Sequence, residues 1–394
     1  MRKMLTAALA LTVATSLTAC ASAKQKAGSS AGDAVKVAVI YSKTGLLAAY
    51  GQEYLQGFQA GLDYATKGSG TVDGHKLSVT YVDDTGTPST AVNAAKQYIG
   101  QGYKIIAGTT DSGIAAQLAP LAAQNKVLYI DGPAATDAIT GANHYTFRSG
   151  RQSYQDVATA GSFIGNPSGK KVLVFAQDTT FGQGNAAAVK AVLGAKGATV
   201  SSILVPAAST DFTPFAHQAA QAKADLVFVA WAGATTSAMW QALDQQQVLA
   251  STTVVTGLAN TASYGAYGPA ASKIDFLSYY FPGATDNPVN SAMKSAITKA
   301  GGTPDLFSPD GFVAAQMIVH AVQAANGDDV DKMISGLEGW TFDAPKGQET
   351  IRPGDHAMLQ PMFQAKLTQS GGNWTPSLVT TVPASVTAPP TSGS

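Results

Sequence analysis

Short apolar runs rich in valine and isoleucine recur along this chain at roughly thirty-residue intervals, each followed by a segment with helical spacing, and that alternation restricts the fold. VKVAVIY (35–41) is apolar on both faces, as a strand covered on both sides must be. After it Gly45 opens a turn, and Tyr50, Tyr54, Phe58 and Leu62 stand four apart, the buried stripe of a helix. KLSVTYV (76–82) predicts the next strand. Thr87 and Pro88 then predict a helix start, where the missing proline N–H costs nothing. KIIAG (104–108), a helix over 114–124 and VLYI (127–130) continue the series. Strand, helix, strand in this rhythm means right-handed crossovers and a parallel sheet.

A second round follows: KKVLVFA (170–176), a helix over 184–196, TVSSILV (199–205), a helix over 212–222, ADLVFVAW (224–231), a helix over 237–247 and TTVVTG (252–257). TFRSGRQSYQDVATA separates the rounds, with Arg148 and Ser149 ending the first. After SYYFP (278–282), two amphipathic helices, 289–300 and 309–325, have no strand of their own and are expected to return to the first lobe. The expected organisation is a first lobe of 35–148 plus 281–341, a second of 149–280 plus 342–380, and a disordered tail over 381–394. Two α/β lobes joined by several crossings place a ligand in the cleft between them, beyond the carboxyl ends of the strands.

The N-terminus carries a different signal. Arg2 and Lys3 precede an apolar stretch, 4–13, too short to span a bilayer, and then small residues: a signal peptide over 1–20. The chain's only cysteine, Cys20, closes it in LTAC, and AKQKAGSSAGD reads as a flexible tether over 21–34. With a single cysteine, neither a disulfide nor a thiolate cluster can form within the chain, and the five histidines are scattered without metal-binding spacing, so no metal or cofactor is expected. Lysine plus arginine equals aspartate plus glutamate at 25 each, and charged residues are only 13% of the chain, which provides no field for nucleic acid.

Enzyme motifs are fragmentary. Asp84-Thr85-Gly86 matches how aspartic proteases carry a catalytic carboxylate, but that chemistry shares a proton between two such motifs and no second one occurs. Gly182-Gln183-Gly184 with Ala187 fits a dinucleotide fingerprint only past its strand, across 178–181, and G-x-S-x-G is missing. The chain is expected not to be an enzyme, and Asp83 and Asp84 are expected to hold a turn.

Taken in order, TGLLAAYGQEYLQGFQAG, YVDDTGTPSTAVNAAKQYI, IIAGTTDS, PAATDAIT, YTFRS, AQDTTFGQG, TDFTPF, ADLVFVAWAG and DGFVAAQMIVHAV resemble the solute-binding proteins of ABC transporters related to the leucine/isoleucine/valine-binding protein. The resemblance implies the type I periplasmic-binding fold, two doubly wound parallel-sheet lobes joined by a multi-strand hinge. It implies capture of a small polar organic solute (an amino acid, an amide or urea-like compound, or an organic or aromatic acid) for a membrane permease, by a protein expected to be monomeric. The same fold also serves as a ligand sensor, which in a lipoprotein would act through a membrane partner. LTAC resembles a lipobox, implying acylation of Cys20 and attachment to the extracytoplasmic face of the membrane. By resemblance Ser112, Ala134 and Thr136 grip a carboxylate, with Ala135 beside them; Asp111 next to Ser112 would repel an anionic ligand, so the sequence leaves the ligand's charge open. Tyr50 lines the first lobe; Phe181 and Trp231 are aromatic walls of the second. Leu258 and Ala259 stand where amino-acid binders carry an acid for the ammonium, which argues against an α-amino acid unless Asp111 or Asp178 replaces it. Hinge crossings are expected near Arg148, near Tyr279 and over 342–354.

Overall fold

The computed structural model describes residues 34–391; the expected signal peptide, Cys20 and the tether through residue 33 lie outside them. No helix among the described residues is long and apolar enough to cross a membrane.

The first round forms β1 (Val35–Tyr41), α1 (Ala48–Thr66), β2 (Thr71–Val72), β3 (His75–Asp83), α2 (Pro88–Gly100), β4 (Ile105–Ala107), α3 (Ser112–Asn125), β5 (Leu128–Asp131) and β6 (Thr146–Arg148). Their six-stranded sheet has the order β2-β3-β1-β4-β5-β6, parallel except for the β2–β3 hairpin. Its register runs from Val35 beside Leu77 to Tyr41 beside Asp83, so Asp83 and Asp84 emerge next to the end of β1. Pro88 opens α2 as its position predicts, although the Thr87 hydroxyl makes no capping bond.

The second round forms α4 (Ser153–Ala160), β7 (Lys171–Asp178), α5 (Thr180–Val192), β8 (Thr199–Pro206), α6 (Thr213–Gln221), β9 (Leu226–Ala230), α7 (Thr236–Gln245), α8 (Val248–Ser251), β10 (Thr253–Gly257) and β11 (Ile274–Ser278). α5 starts earlier than its apolar spacing predicts because the Thr179 hydroxyl caps the Gly182 N–H. Gly182 and Gly184 therefore lie inside a helix and do not form the phosphate-cradling turn of a dinucleotide site.

The chain then returns through α9 (Pro288–Lys299), α10 (Ser308–Ala325) and α11 (Val330–Leu337). α10 is buried along nearly its whole length in the first core, against α1 and β1. A small antiparallel sheet follows: β12 (Thr341–Ala344), β13 (Gly347–Ile351) and β14 (Met358–Leu359). Here the structure corrects the expected boundary at 342, because Phe342, Ala344, Ile351 and Met358 bury their side chains in the first core. The third crossing falls at 360–361, after which β15 (Met362–Ser370) and β16 (Asn373–Val382) add antiparallel strands to the second sheet, order β16-β15-β11-β10-β9-β7-β8.

The tail is also corrected. A helical turn, α12 (Ala384–Thr387), packs against α4, with Thr387 fully buried. Beyond it Arg352 donates to the carbonyls of Pro389 at 2.7 Å and Pro390 at 3.2 Å, so the tail is ordered at least this far.

Close backbone approach places α1. A β-carbon on Gly57 would fall 1.9 Å from the Ser308 carbonyl oxygen, so only glycine lets α1 and α10 lie this close.

Candidate functional site

The carboxyl ends of the two large sheets face one another across a cleft with two adjoining compartments, an outer one of about 460 Å³ and an inner one of about 70 Å³. The outer volume suits a small organic ligand. Tyr50, Arg151, Phe181, Ala232 and Phe307 line both compartments.

The first-lobe wall is built from the loops that leave β1, β3, β4 and β5. Leu46, Leu47 and Tyr50 follow β1; Thr85 and Gly86 follow β3; Thr110, Asp111 and Ser112 follow β4; Pro133 and Ala135 follow β5. The acidic turn after β3 supports this wall. Asp83 Oδ1 accepts from the N–H groups of Lys43, Thr44 and Thr85 at 2.8–3.1 Å, tying the β1 and β3 loops together. Asp84 is fully buried and accepts from Gly86 N–H at 2.8 Å, the Thr109 hydroxyl at 2.5 Å and the Ser42 hydroxyl at 3.1 Å. Burial raises its pKa against those hydrogen bonds. All three partners are structural, and a second catalytic carboxylate is not among them.

At the start of α3, Asp111 caps the helix, accepting from Ile114 N–H at 2.9 Å, so the cap is not supplied by Ser112, which lines the cleft. The helix dipole adds a positive end at this point. The second-lobe wall is Gln177, Thr179, Thr180 and Phe181 after β7, Trp231 and Ala232 after β9, and Thr256 to Ala259 at the end of β10.

Of the expected binding residues, the fold brings Tyr50, Asp111, Ser112, Ala135, Phe181, Trp231 and Leu258 to the cleft. Ala134 and Thr136 do not line it. In the turn after β5 it is Pro133 and Ala135 that face outward, while Ala134 packs into the core over α3. The Thr136 hydroxyl caps a short helical turn at Ala138, and its carbonyl accepts from Arg148 at 2.7 Å. Trp231 belongs to both cleft and core: it stacks on Phe175 at 5.8 Å and meets Phe212 edge-on at 5.2 Å. Asp178 is exposed, bonds Gln183 and does not line the cleft, so it offers no counter-charge there.

Arg151, Gln177 and Phe307 are cleft residues that the sequence pattern does not single out. Arg151 lies in the first crossing, buried, with Nη1 donating to the Pro133 carbonyl at 2.6 Å and Nε 3.2 Å from Asp156. Its guanidinium sits over the Tyr279 ring at 4.5 Å. Burial pushes the Asp156 carboxyl up to about 6, although Arg151 beside it pulls the other way.

The lobes touch across the cleft. Gly233, in the second lobe, adopts φ +84 and sits so near Leu46 that a β-carbon would lie 2.9 Å from the Leu46 carbonyl oxygen. Deeper in, Asn260 of the second lobe donates to Glu53 of α1 at 2.8 Å, and Phe307 N–H donates to the same carboxyl at 3.2 Å. Burial, with repulsion from Asp305, pushes the Glu53 carboxyl up to about 8. Behind the cleft a second buried group spans the crossings: Lys346 lies 3.7 Å from Asp310 and 3.5 Å from Glu349 and bonds Gln360 at the third crossing.

A family profile described as periplasmic binding protein matches residues 34–373. Over 311 residues the chain is 26% identical to the Leu/Ile/Val-binding protein BraC3 of Rhizobium johnstonii, covering 77% of this chain and 83% of the relative. Leu/Ile/Val-binding protein homolog 3 of Brucella melitensis is 27% identical over 301 residues, covering 75% and 80%. Among solved structures, an ABC-type branched-chain amino acid transporter protein from Rhodopseudomonas palustris superposes with a TM-score of 0.75 at 33% identity, covering 91% of this chain and 99% of its own. A solute-binding protein from R. palustris in complex with 4-hydroxybenzoate superposes with a TM-score of 0.81, covering 89% and 97%; at 24% identity that likeness speaks for the fold alone.

Proposed function

We propose, because this chain belongs to the periplasmic binding protein family, that it captures a small carboxylate-bearing solute with an apolar or aromatic body and passes it to an ABC permease. Solute binding is the role of the family, and the chain is a solute-binding protein. The observation that carries the ligand class is the charge of the cleft. Among the described residues that line it, Arg151 is the one cation, set against two carboxylates, Asp156 at 3.2 Å from its Nε and Asp111 capping α3, in a cleft also bounded by Ser112, Tyr50, Phe181 and Phe307. A carboxylate fits between Arg151 and the amino end of α3, and an apolar body fits against the rings. An α-ammonium fits poorly: Leu258 and Ala259 line the inner compartment, Asp156 is paired with Arg151, and Asp111 caps α3. A buried ammonium without a partner is costly by several kcal/mol.

Capture works by closure. Ligand contacts from both lobes favour the arrangement in which Tyr50, Leu46 and Glu53 meet the second lobe, and the crossings at 149–152, 279–287 and 360–361 absorb the rotation. No bond is made or broken in the solute. The monomer is held on the extracytoplasmic face of the membrane by acyl chains on Cys20, each buried methylene adding about 0.8 kcal/mol.

Thermal shift and calorimetry across aromatic acids, branched aliphatic acids, leucine, amides and ureas test the ligand class, because a ligand that binds only the folded state raises the melting temperature. Acids are expected to shift it most. Shifts from amides or ureas with none from acids would overturn the assignment. Cys20→Ser is expected to release the protein from membranes, and persistent attachment would overturn the anchor.

A further inference from the structure

We infer that His144, Glu338 and His356 form a site for a divalent transition-metal ion on the first lobe, remote from the cleft. The three come from segments far apart in sequence: the loop entering β6, the residue after α11, and the turn between β13 and β14. Their donor atoms all lie within 4.8 Å of one another. Glu338 Oε1 is 3.0 Å from His356 Nε2 and 3.9 Å from His144 Nδ1. The cleft lies at the carboxyl end of β6 and His144 precedes its amino end, so the two sites occupy opposite edges of the sheet.

His356 is held as a ligand would be. Its Nδ1 is 2.9 Å from the Thr146 carbonyl, which can only accept, so Nδ1 carries the proton. A carbonyl behind the ring in this way fixes tautomer and orientation in metal-ligating histidines. The ring stacks on Phe147 at 3.7 Å and is almost completely buried. Its backbone is left-handed at φ 59, a conformation unfavourable for a residue with a β-carbon. The turn is braced by Arg352, which grips the Asp355 carboxylate at 2.9 and 2.5 Å.

With Nδ1 turned to the carbonyl, His356 Nε2 points at Glu338 Oε1, 3.0 Å away. Two ligands each about 2.1 Å from one ion sit roughly 3.0–3.4 Å apart in octahedral or tetrahedral geometry, so this spacing already suits shared coordination of one ion. His144 is 55% exposed and free to swing the remaining distance. Two imidazoles and one carboxylate select zinc, nickel, copper or cobalt over magnesium and calcium. The bound ion would clamp the β6 loop, the end of α11 and the β13–β14 turn, stabilising the folded chain without touching the solute.

The test uses the full chain, free of any histidine tag and stripped with chelator, titrated calorimetrically with zinc and, as a control, magnesium. One zinc per chain with micromolar affinity is expected, with no magnesium binding, and cobalt should give visible absorption bands of a nitrogen–oxygen site. His144→Ala removes an exposed ligand without disturbing the core, and Glu338→Gln keeps the shape of the side chain; each should weaken zinc about tenfold or more. His217→Ala, on the other lobe, should leave binding unchanged. The inference fails if the wild-type chain binds no zinc, or if His144→Ala or Glu338→Gln binds it as tightly as wild type.

Discussion

Gly57→Ala tests whether close backbone contact with α10 holds α1, and with it Tyr50 and Glu53, in place. The new β-carbon would lie 1.9 Å from the Ser308 carbonyl oxygen and 2.7 Å from its carbon. Ordinary contact begins near 3.4 Å, so the helices must part locally by about 1.5 Å. The obstacle is backbone on both sides, so no rotamer change relieves it. On the same face, β-carbons on Gly61 and Gly311 would fall 2.4 and 2.0 Å from the backbone oxygens of Phe312 and Tyr54, so parting the helices loosens that whole face. Overpacking costs about 1–3 kcal/mol or somewhat more, while alanine returns about 1 kcal/mol of helix propensity. The clash is with rigid backbone, which puts the cost at the upper end of that range and the net loss at up to about 2 kcal/mol. Gly184→Ala is the control: in α5 its nearest heavy atom would be Ser153 Oγ at 3.8 Å, so it should gain about 0.4–1 kcal/mol. Urea unfolding followed by circular dichroism reads both as midpoint shifts at constant slope. A Gly57→Ala midpoint at or above wild type would refute the reasoning.

Asp84→Asn turns an acceptor of three hydrogen bonds into a partial donor inside the core, and should cost about 1–3 kcal/mol, read as a lower melting temperature; an unchanged melt would remove Asp84 from its structural role. Glu53 has a folded pKa near 8, above its unfolded value of 4.5, so the stability it contributes is complete below that lower value and is lost as pH rises through 8. Glu53→Gln should therefore flatten the fall in melting temperature between about pH 5 and 8, and an unchanged slope would contradict this. Phe181→Ala and Trp231→Ala should both weaken solute binding and lower the melting temperature, because each ring lines the cleft and packs against a core, with the larger melting loss at Trp231, which also stacks on Phe175 and meets Phe212; unchanged binding in either variant would remove that ring from the site.

The order of strands and helices is legible because the inner strands β1, β7 and β9 are buried on both faces and read as continuous apolar runs, VKVAVIY, KVLVFAQ and LVFVA, while the half-exposed β3 and β8 are bracketed by helical stripes. The small sheet β12–β13–β14 is not, because its strands are two to five residues long and polar in part, TFDA and GQETI, and it buries Lys346, a residue type that reads as solvated. Arg151 escapes for the same reason: a lone arginine between two lobes carries no periodic signal, and only the fold puts Asp156 and Tyr279 around it. Ala134 and Thr136 fail in the opposite way. PAAT is correctly read as a strand-end turn, but which of its residues face outward depends on turn geometry that composition does not encode. Asp84 is the reverse case, a motif with an obvious chemical reading whose neighbours, Thr109 and Ser42, make it a fastening between loops.

The tail beyond β16 reaches from the second sheet, across α4, to Arg352 in the first lobe. The lobes are therefore linked by four strands of chain, three covalent crossings and one strap fastened by hydrogen bonds. A pair of bodies joined this many times samples fewer relative orientations when apart, so less orientational entropy is surrendered when they come together. More of a modest contact energy then remains as affinity. Those few proline-rich residues, which form no part of the cleft, act on capture through the disorder they remove from the open state.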